Sequence, residues 1–158
     1  MLTTSTPVNR EVALAVREAC LCLATQRAAR VLARRFDFAF APLGITNNQF
    51  SLMMMLSGPE PAPMTRLAGA LAMDRTTLTA ALKALQRRGF VTVRADGKDK
   101  RVKRSSLTED GRETLAAAVP IWKSEHAALE ASLTTVDADQ LRSQLSAITN
   151  SQQERSRP

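Results

Sequence analysis

The chain has 158 residues, 44% apolar and 23% charged, with 22 Lys and Arg against 15 Asp and Glu and a formal net charge of +7. The mix excludes wholesale disorder, the length fits one domain with extensions, and every apolar run falls short of the ~18 residues of a membrane span. The excess charge calls for a polyanionic partner, nucleic acid before an anionic membrane surface.

From about Asn9 to Ala41 there is no Gly and no Pro, and Ala, Leu, Arg and Glu dominate, which predicts one long helix. Val12, Val16, Ala19 and Leu23 form one apolar stripe, and Leu21, Ala28, Val31 and Leu32 fall off it. A helix apolar on more than one side needs a second cover, here another subunit. Met1 to Arg10 has no basic segment followed by an apolar stretch, so no signal peptide is expected. Pro42-Leu43-Gly44 stops the helix, and Thr46 with Gln49 has capping-box spacing for a helix from Asn47 to about Ser57. Its continuous run Leu52 to Leu56 reads as core. Gly58 to Pro63, with three prolines in five residues, reads as a loop.

Two short helices follow closely, Thr65 to Ala72 and Arg75 to Arg88, with Asp74 as the cap of the second and Gly89 as its stop. Leu78, Leu82 and Leu85 give the second an inward stripe. Its other face carries Thr76, Thr79, Ala80, Lys83 and Arg87, small, hydroxylated and basic, and suited to a DNA groove. Phe90 to Arg94 alternates as a strand, Asp96-Gly97 signals a turn, and Lys98 to Ser106 returns as a second strand. A basic-tipped ribbon directly after a helix-turn-helix is a winged helix. Thr108 opens a helix running through Leu115, Trp122 and Leu129, with Pro120 as an expected kink. Thr134 to Asp137 breaks it, and Ala138 to Thr149 is a last helix before a polar, frayed end.

The net charge belongs to one stretch. Between Met64 and Ser106 there are eleven Lys and Arg and three acids, while the rest of the chain is nearly neutral. Clustered cations of this kind release counterions from a duplex. For an enzyme the sequence offers little. It has no Gly-rich phosphate loop, no GxSxG and no clustered His with carboxylates, so no catalytic residue is expected. The two cysteines, Cys20 and Cys22, are one residue apart, too close for an unstrained bridge. With a single histidine, His126, no metal site and no cofactor are expected. Reduced thiols fit a cytoplasmic protein.

Taken together, Gly44-Ile45-Thr46 with Gln49-Phe50, Leu67-Ala68 with Leu71, Asp74 to Thr79 with Leu82 and Leu85, Arg88-Gly89-Phe90-Val91, Asp99-x-Arg101, and Leu107-Thr108 with Gly111 resemble the MarR (multiple antibiotic resistance regulator) family of winged-helix transcription factors. The resemblance covers roughly Ala19 to Leu133. It implies a mainly α (α+β) fold, with residues 9–42 and 109–150 as a helical dimerisation region. A winged helix-turn-helix over 46–108 binds DNA, and 151–158 form a flexible tail. It further implies a homodimeric regulator, a repressor, on a pseudo-palindromic operator, with half-sites about one DNA turn or a multiple apart.

On the recognition helix the residues expected to meet DNA are Arg75, Thr76, Thr77, Thr79, Lys83 and Arg87, with simple first-turn capping as the other role open to Thr77. Ala80 stands where relatives often carry a polar residue. In the wing, Arg101 matches the family's minor-groove arginine and Asp99 the acid that holds it. Lys98, Lys100, Lys103 and Arg104 are phosphate contacts or steering charges.

Cys22 falls where the organic-hydroperoxide branch of the family keeps its redox cysteine. That branch's supporting tyrosines are absent here, with Phe36 and Asn47 in their places, and a small packed thiol is the other reading. The family also takes small aromatic effectors between its dimerisation helices and winged lobe. Arg30, Arg34, Phe36 and Trp122 are the suggestive residues, but an arginine there equally pairs with an acid such as Asp37 or Glu125, and no effector site is assigned. The alternatives to a ligand-released or thiol-released repressor are a peroxide sensor built on Cys22 and an architectural nucleic-acid binder without sequence choice. The scarcity of aromatics, with no Tyr, argues against an RNA-stacking surface.

Overall fold

The computed structural model describes residues 8–155. Residues 1–7, on which most of the signal-peptide expectation falls, and 156–158, the end of the expected tail, lie outside the described residues. In chain order the elements are α1 (Arg10–Ala19), α2 (Leu21–Phe40), a 3-10 turn (Ala41–Leu43), α3 (Asn47–Met55), β1 (Ala62–Pro63), α4 (Met64–Leu71), α5 (Arg75–Arg87), β2 (Val91–Ala95), β3 (Lys103–Leu107), α6 (Glu109–Ser132) and α7 (Ala138–Arg155).

Most boundaries follow from side-chain caps. Asn9, Thr46, Asp74 and Thr108 each accept a backbone N–H at the start of their helix, and Thr46 and Gln49 complete a reciprocal capping box. The first helix is where expectation fails. It is not continuous: Cys20 leaves helical geometry at ψ 105° and restarts α2, with its Sγ taking the Leu23 N–H at 3.4 Å. A thiol is a weak acceptor and Cys is neutral in helix propensity, so neither Gly nor Pro announces the break.

The sheet has the order β1-β3-β2, all antiparallel, with Ala62 and Val93 flanking Ser105. β1 lies within the stretch read as loop. Its Pro63 is tolerated because β1 is an edge strand. The second ribbon strand starts at Lys103 rather than Lys98. The Asp96 carboxylate takes the N–H of Lys98 and Asp99, and Asp99 takes that of Arg101, so the backbone between them turns instead of pairing. α6 runs through Pro120 as one helix. Asp137 caps α7 through Gln140 N–H, and α7 extends to Arg155, so 151–155 are helical rather than a frayed tail.

The core fills the winged lobe and continues between α2, α3 and α6. Phe40, Leu52, Met53, Leu67, Leu78, Leu85 and Val91 are fully buried, and Leu82 joins them. A ladder of rings, Phe36, Phe40, Phe50, Trp122 and His126, joins α2, α3 and α6 with centroid spacings of 6.1, 4.7, 6.5 and 4.8 Å. Arg35 pairs with Glu125 at 2.9 Å, also linking α2 to α6, so the acid-paired arginine of this region is Arg35 rather than Arg30 or Arg34.

The terminal helices are different. Val16, Leu21, Val31 and Phe38 are exposed, Phe38 at 85%, as are Leu141, Leu145 and Ile148 along one face of α7. These are apolar faces that this chain does not cover.

Gly111 in the first turn of α6 fixes how that helix sits on the winged lobe. A Cβ there would overlap the carbonyl oxygen of Phe90, which itself accepts the Thr108 N–H at 3.0 Å. Gly111→Ala is expected to destabilise the fold by roughly 1–3 kcal/mol, since backbone must move to admit the methyl. Urea denaturation at fixed protomer concentration checks this, and an unchanged midpoint would refute the close packing.

Candidate nucleic-acid interface

The inward leucines of α5 decide what its other side shows. With Leu78, Leu82 and Leu85 buried, Arg75, Thr76, Lys83 and Arg87 are exposed and Thr79 is half-buried. Arg75, Thr79, Lys83 and Gln86 of α5 line one cleft of about 310 Å³ together with Lys103 of the wing, beside Leu82 and Val93. An adjoining cleft of about 240 Å³ joins Arg75 to Arg101 and Lys103 next to Thr65 at the start of α4. Shallower hollows along α5 bring in Thr76, Ala80 and Arg87. One face of the lobe therefore gathers Arg75, Thr76, Thr79, Lys83, Arg87, Arg101 and Lys103.

Five expected residues stand apart from those hollows: Thr77, Lys98, Asp99, Lys100 and Arg104. Thr77 turns to its own cap: its N–H and its hydroxyl both donate to Asp74, at 2.8 and 2.6 Å, so its hydroxyl proton is committed locally. That bond, with the amide bond beside it, holds the Asp74 carboxyl below its ordinary range. Lys100 is an exposed cation at the wing tip. Asp99 binds Arg101, taking its Nε–H at 3.2 Å and its Nη2–H at 3.4 Å while Arg101 stays 92% exposed. Thr79 spends its own proton on the Arg75 carbonyl at 2.7 Å, which leaves its oxygen lone pairs and methyl to face outward contacts.

All three acids of the basic stretch are tied down. Asp74 caps α5, Asp99 holds Arg101, and Asp96 anchors the wing base by pairing with Arg104, which also donates to the Pro61 carbonyl at 3.2 Å. Among the described residues, Arg75, Lys83, Arg87, Lys98, Lys100 and Lys103 make no ion pair. The cations project while the acids organise backbone, so the face keeps its positive potential. Gln86 and Thr65 line the same clefts and were not singled out in the sequence. For Gln86 the signal was present, since it follows Lys83 by three residues and Thr79 by seven on one helical face.

Elsewhere, Cys22 is exposed in the first turn of α2, and among the described residues no side chain donates to its Sγ. Asn47 takes its place through its backbone, donating to Asp37 at 2.6 Å, and Phe36 is buried in the ring ladder. Among the described residues no cluster of three metal-ligating side chains occurs, and no helix is long and apolar enough to cross a membrane.

This architecture has known counterparts. The family model described as MarR family matches residues 45–103. The transcriptional regulator MosR of M. tuberculosis, solved in complex with DNA, is 36% identical, with 87% of this chain and 99% of that chain covered at a TM-score of 0.79. The organic hydroperoxide resistance transcriptional regulator of Bacillus subtilis (strain 168) is 29% identical over 91 residues, 58% of this chain; the match spans 62% of that relative's length. The repressor CouR was solved on a 23-mer DNA duplex (26% identity, 87% and 95% coverage, TM-score 0.68). It was also solved with p-coumaroyl-CoA (28% identity, 84% and 94% coverage, TM-score 0.73).

The wing anchor can be tested alone. Arg104 first, then the amides of Lys98 and Asp99, hold the Asp96 carboxyl at about 2 against an ordinary 3.8. A depressed carboxylate contributes its anchoring above the ordinary value and loses it as pH falls through about 2, so the wing should stay ordered throughout the neutral and mildly acidic range. Asp96→Asn is expected to raise amide hydrogen exchange at Lys98 and Asp99 by roughly tenfold at neutral pH. An Asp96 carboxyl titrating by NMR at its ordinary value would contradict the anchor.

Proposed function

The chain belongs to the MarR family, and from that premise we propose that it is a homodimeric, sequence-specific DNA-binding transcriptional regulator that represses by occupying a pseudo-palindromic operator. The observation that carries this reading is the shared cleft: α5 and the wing place Arg75, Thr79, Lys83 and Lys103 around one hollow, with Arg101 alongside, on the face where no acid is free to oppose them. The uncovered apolar faces of α1, α2 and α7 support the second subunit, which a two-fold operator requires.

In the proposed complex α5 enters the major groove. Arg75, Thr76 and Thr79 meet base edges or nearby phosphates, and Lys83 and Arg87 neutralise backbone. Arg101, pre-aimed by Asp99, reaches the minor groove, and Lys100 and Lys103 flank it on phosphates. Thr77 serves by capping α5 rather than by touching bases. That the repressor CouR was solved with p-coumaroyl-CoA supports a ligand with an aromatic group as the releasing signal. Release by thiol oxidation would act through Cys22. Such a regulator is a binding protein, not an enzyme.

The test is a footprint on the DNA flanking the protein's own gene, repeated with phenolic acids and with a cumene-type hydroperoxide. A protected palindrome, with affinity falling on a log–log salt slope on the order of −5 to −9 for roughly 6–10 phosphates, is expected. Equal protection of unrelated duplexes would replace the regulator with an architectural protein. Arg101→Ala is expected to weaken operator binding by ~1–3 kcal/mol, most at A·T-rich wing positions, as measured by fluorescence anisotropy; an unchanged affinity would remove Arg101 from the interface. Footprint loss with peroxide that Cys22→Ser abolishes would assign release to the thiol, and loss with a phenolic acid alone would assign it to a ligand.

A further inference from the structure

The corner where α5 passes into β2 is tied by one side chain to the end of α2. Arg88 is the C-terminal cap of α5 and is solvent-exposed, as a phosphate-seeking cation would be. Its guanidinium nevertheless turns inward along the lobe. Nη1 donates to the Gly44 carbonyl at 2.5 Å and reaches Gln49 Oε1 at 3.4 Å, and the guanidinium carbon lies 4.6 Å from the centre of the Phe90 ring.

Each of these partners is fixed by something else. Gly44 is the left-handed residue, at φ 65°, that closes the 3-10 turn ending α2, and its neighbourhood is tight: a Cβ would stand 3.2 Å from Arg88 Nη2. Gln49 Oε1 already accepts the Thr46 N–H in the capping box of α3. Phe90 is bound through its carbonyl to Thr108, and Thr108 Oγ1 donates to the Gly89 carbonyl at 2.6 Å. So the end of α5 is held against the α2–α3 junction on one side and the start of α6 on the other. Among the described cations of the basic stretch, Arg88 alone bonds to the α2–α3 junction.

We propose that Arg88 is a positioning residue that sets the tilt of the recognition helix against the dimer frame, and thereby the half-site spacing the dimer accepts. The proposal rests on the dimeric DNA-binding reading above. The planar fork is what the role requires: it donates along its edge to a carbonyl while its face lies on a ring, which an ammonium cannot do together. A phosphate contact would need only the charge, so lysine separates the two roles.

The test titrates wild type, Arg88→Lys and Arg88→Gln by fluorescence anisotropy over a salt series. The probes are a palindrome selected by wild type from random duplexes, the same palindrome with a two-base-pair insertion at its centre, and a duplex with one half-site. Both variants are expected to lose about tenfold on the palindrome, to discriminate less against the insertion, and to keep wild-type affinity for the single half-site with an unchanged salt slope. Phe90→Leu, which removes the ring face but leaves the guanidinium, should shift the palindrome in the same direction and carries the test if the Arg88 variants do not fold.

Retention by Arg88→Lys with loss in Arg88→Gln and a salt slope smaller by about one would make Arg88 a phosphate contact and overturn the proposal. Equal losses on all three probes, or none, would overturn it as well. If wild type selects no palindrome at all, it is the regulator reading that fails.

Discussion

The leucine stripe of α5 is the constraint on which the remaining features depend. Leu78, Leu82 and Leu85 can be buried together only in one rotation of the helix, and that rotation sends Thr76, Lys83 and Arg87 to solvent, while Arg75 is exposed as the first residue of the helix. Burial of large side chains is worth far more than any of the exposed contacts, so the core selects the face and the face inherits its chemistry. Asp74 before the helix and Arg88 after it then fix where that face begins and how it is tilted.

A second division of labour follows. The basic stretch holds few acids, and each is tied to a local partner, Asp99 to the exposed guanidinium of Arg101 itself. Asp74 builds a cap, Asp96 a turn and a strand-base pair, and Asp99 a holder for Arg101. The cations divide likewise. Arg88 and Arg104 donate to backbone carbonyls and act within the lobe, while Arg75, Lys83, Arg87, Lys100 and Lys103 stay available to a polyanion. Net charge alone did not distinguish these roles; the hydrogen-bond partners do.

The winged helix was legible because its boundaries rest on local chemistry. Thr46 with Gln49, Asp74, Gly89 and Thr108 announce caps and stops that sequence spacing reveals, and Leu78, Leu82 and Leu85 announce a buried face. What sequence did not reveal depends on partners distant along the chain or on weak local acceptors. The thiol cap at Cys20 leaves no compositional mark. β1 forms because Ala62 and Pro63 meet Ser105 and Arg104, more than 40 residues later, and proline-rich composition masks it. Arg88 reads as one more basic residue until Gly44 is beside it. In the interface, the sequence leaves Thr77 open between a DNA contact and first-turn capping, and the bonds from its N–H and hydroxyl to Asp74 decide for the cap.

In the proposed complex α5 and the wing, and not the terminal helices, are the surface laid on DNA. Amide hydrogen exchange of the protein with and without a bound palindromic duplex measures this directly. New protection is expected to concentrate in Arg75–Arg87 and in the wing between Ala95 and Lys103. Protection falling on α1 or α7, with α5 and the wing unchanged, would contradict that placement.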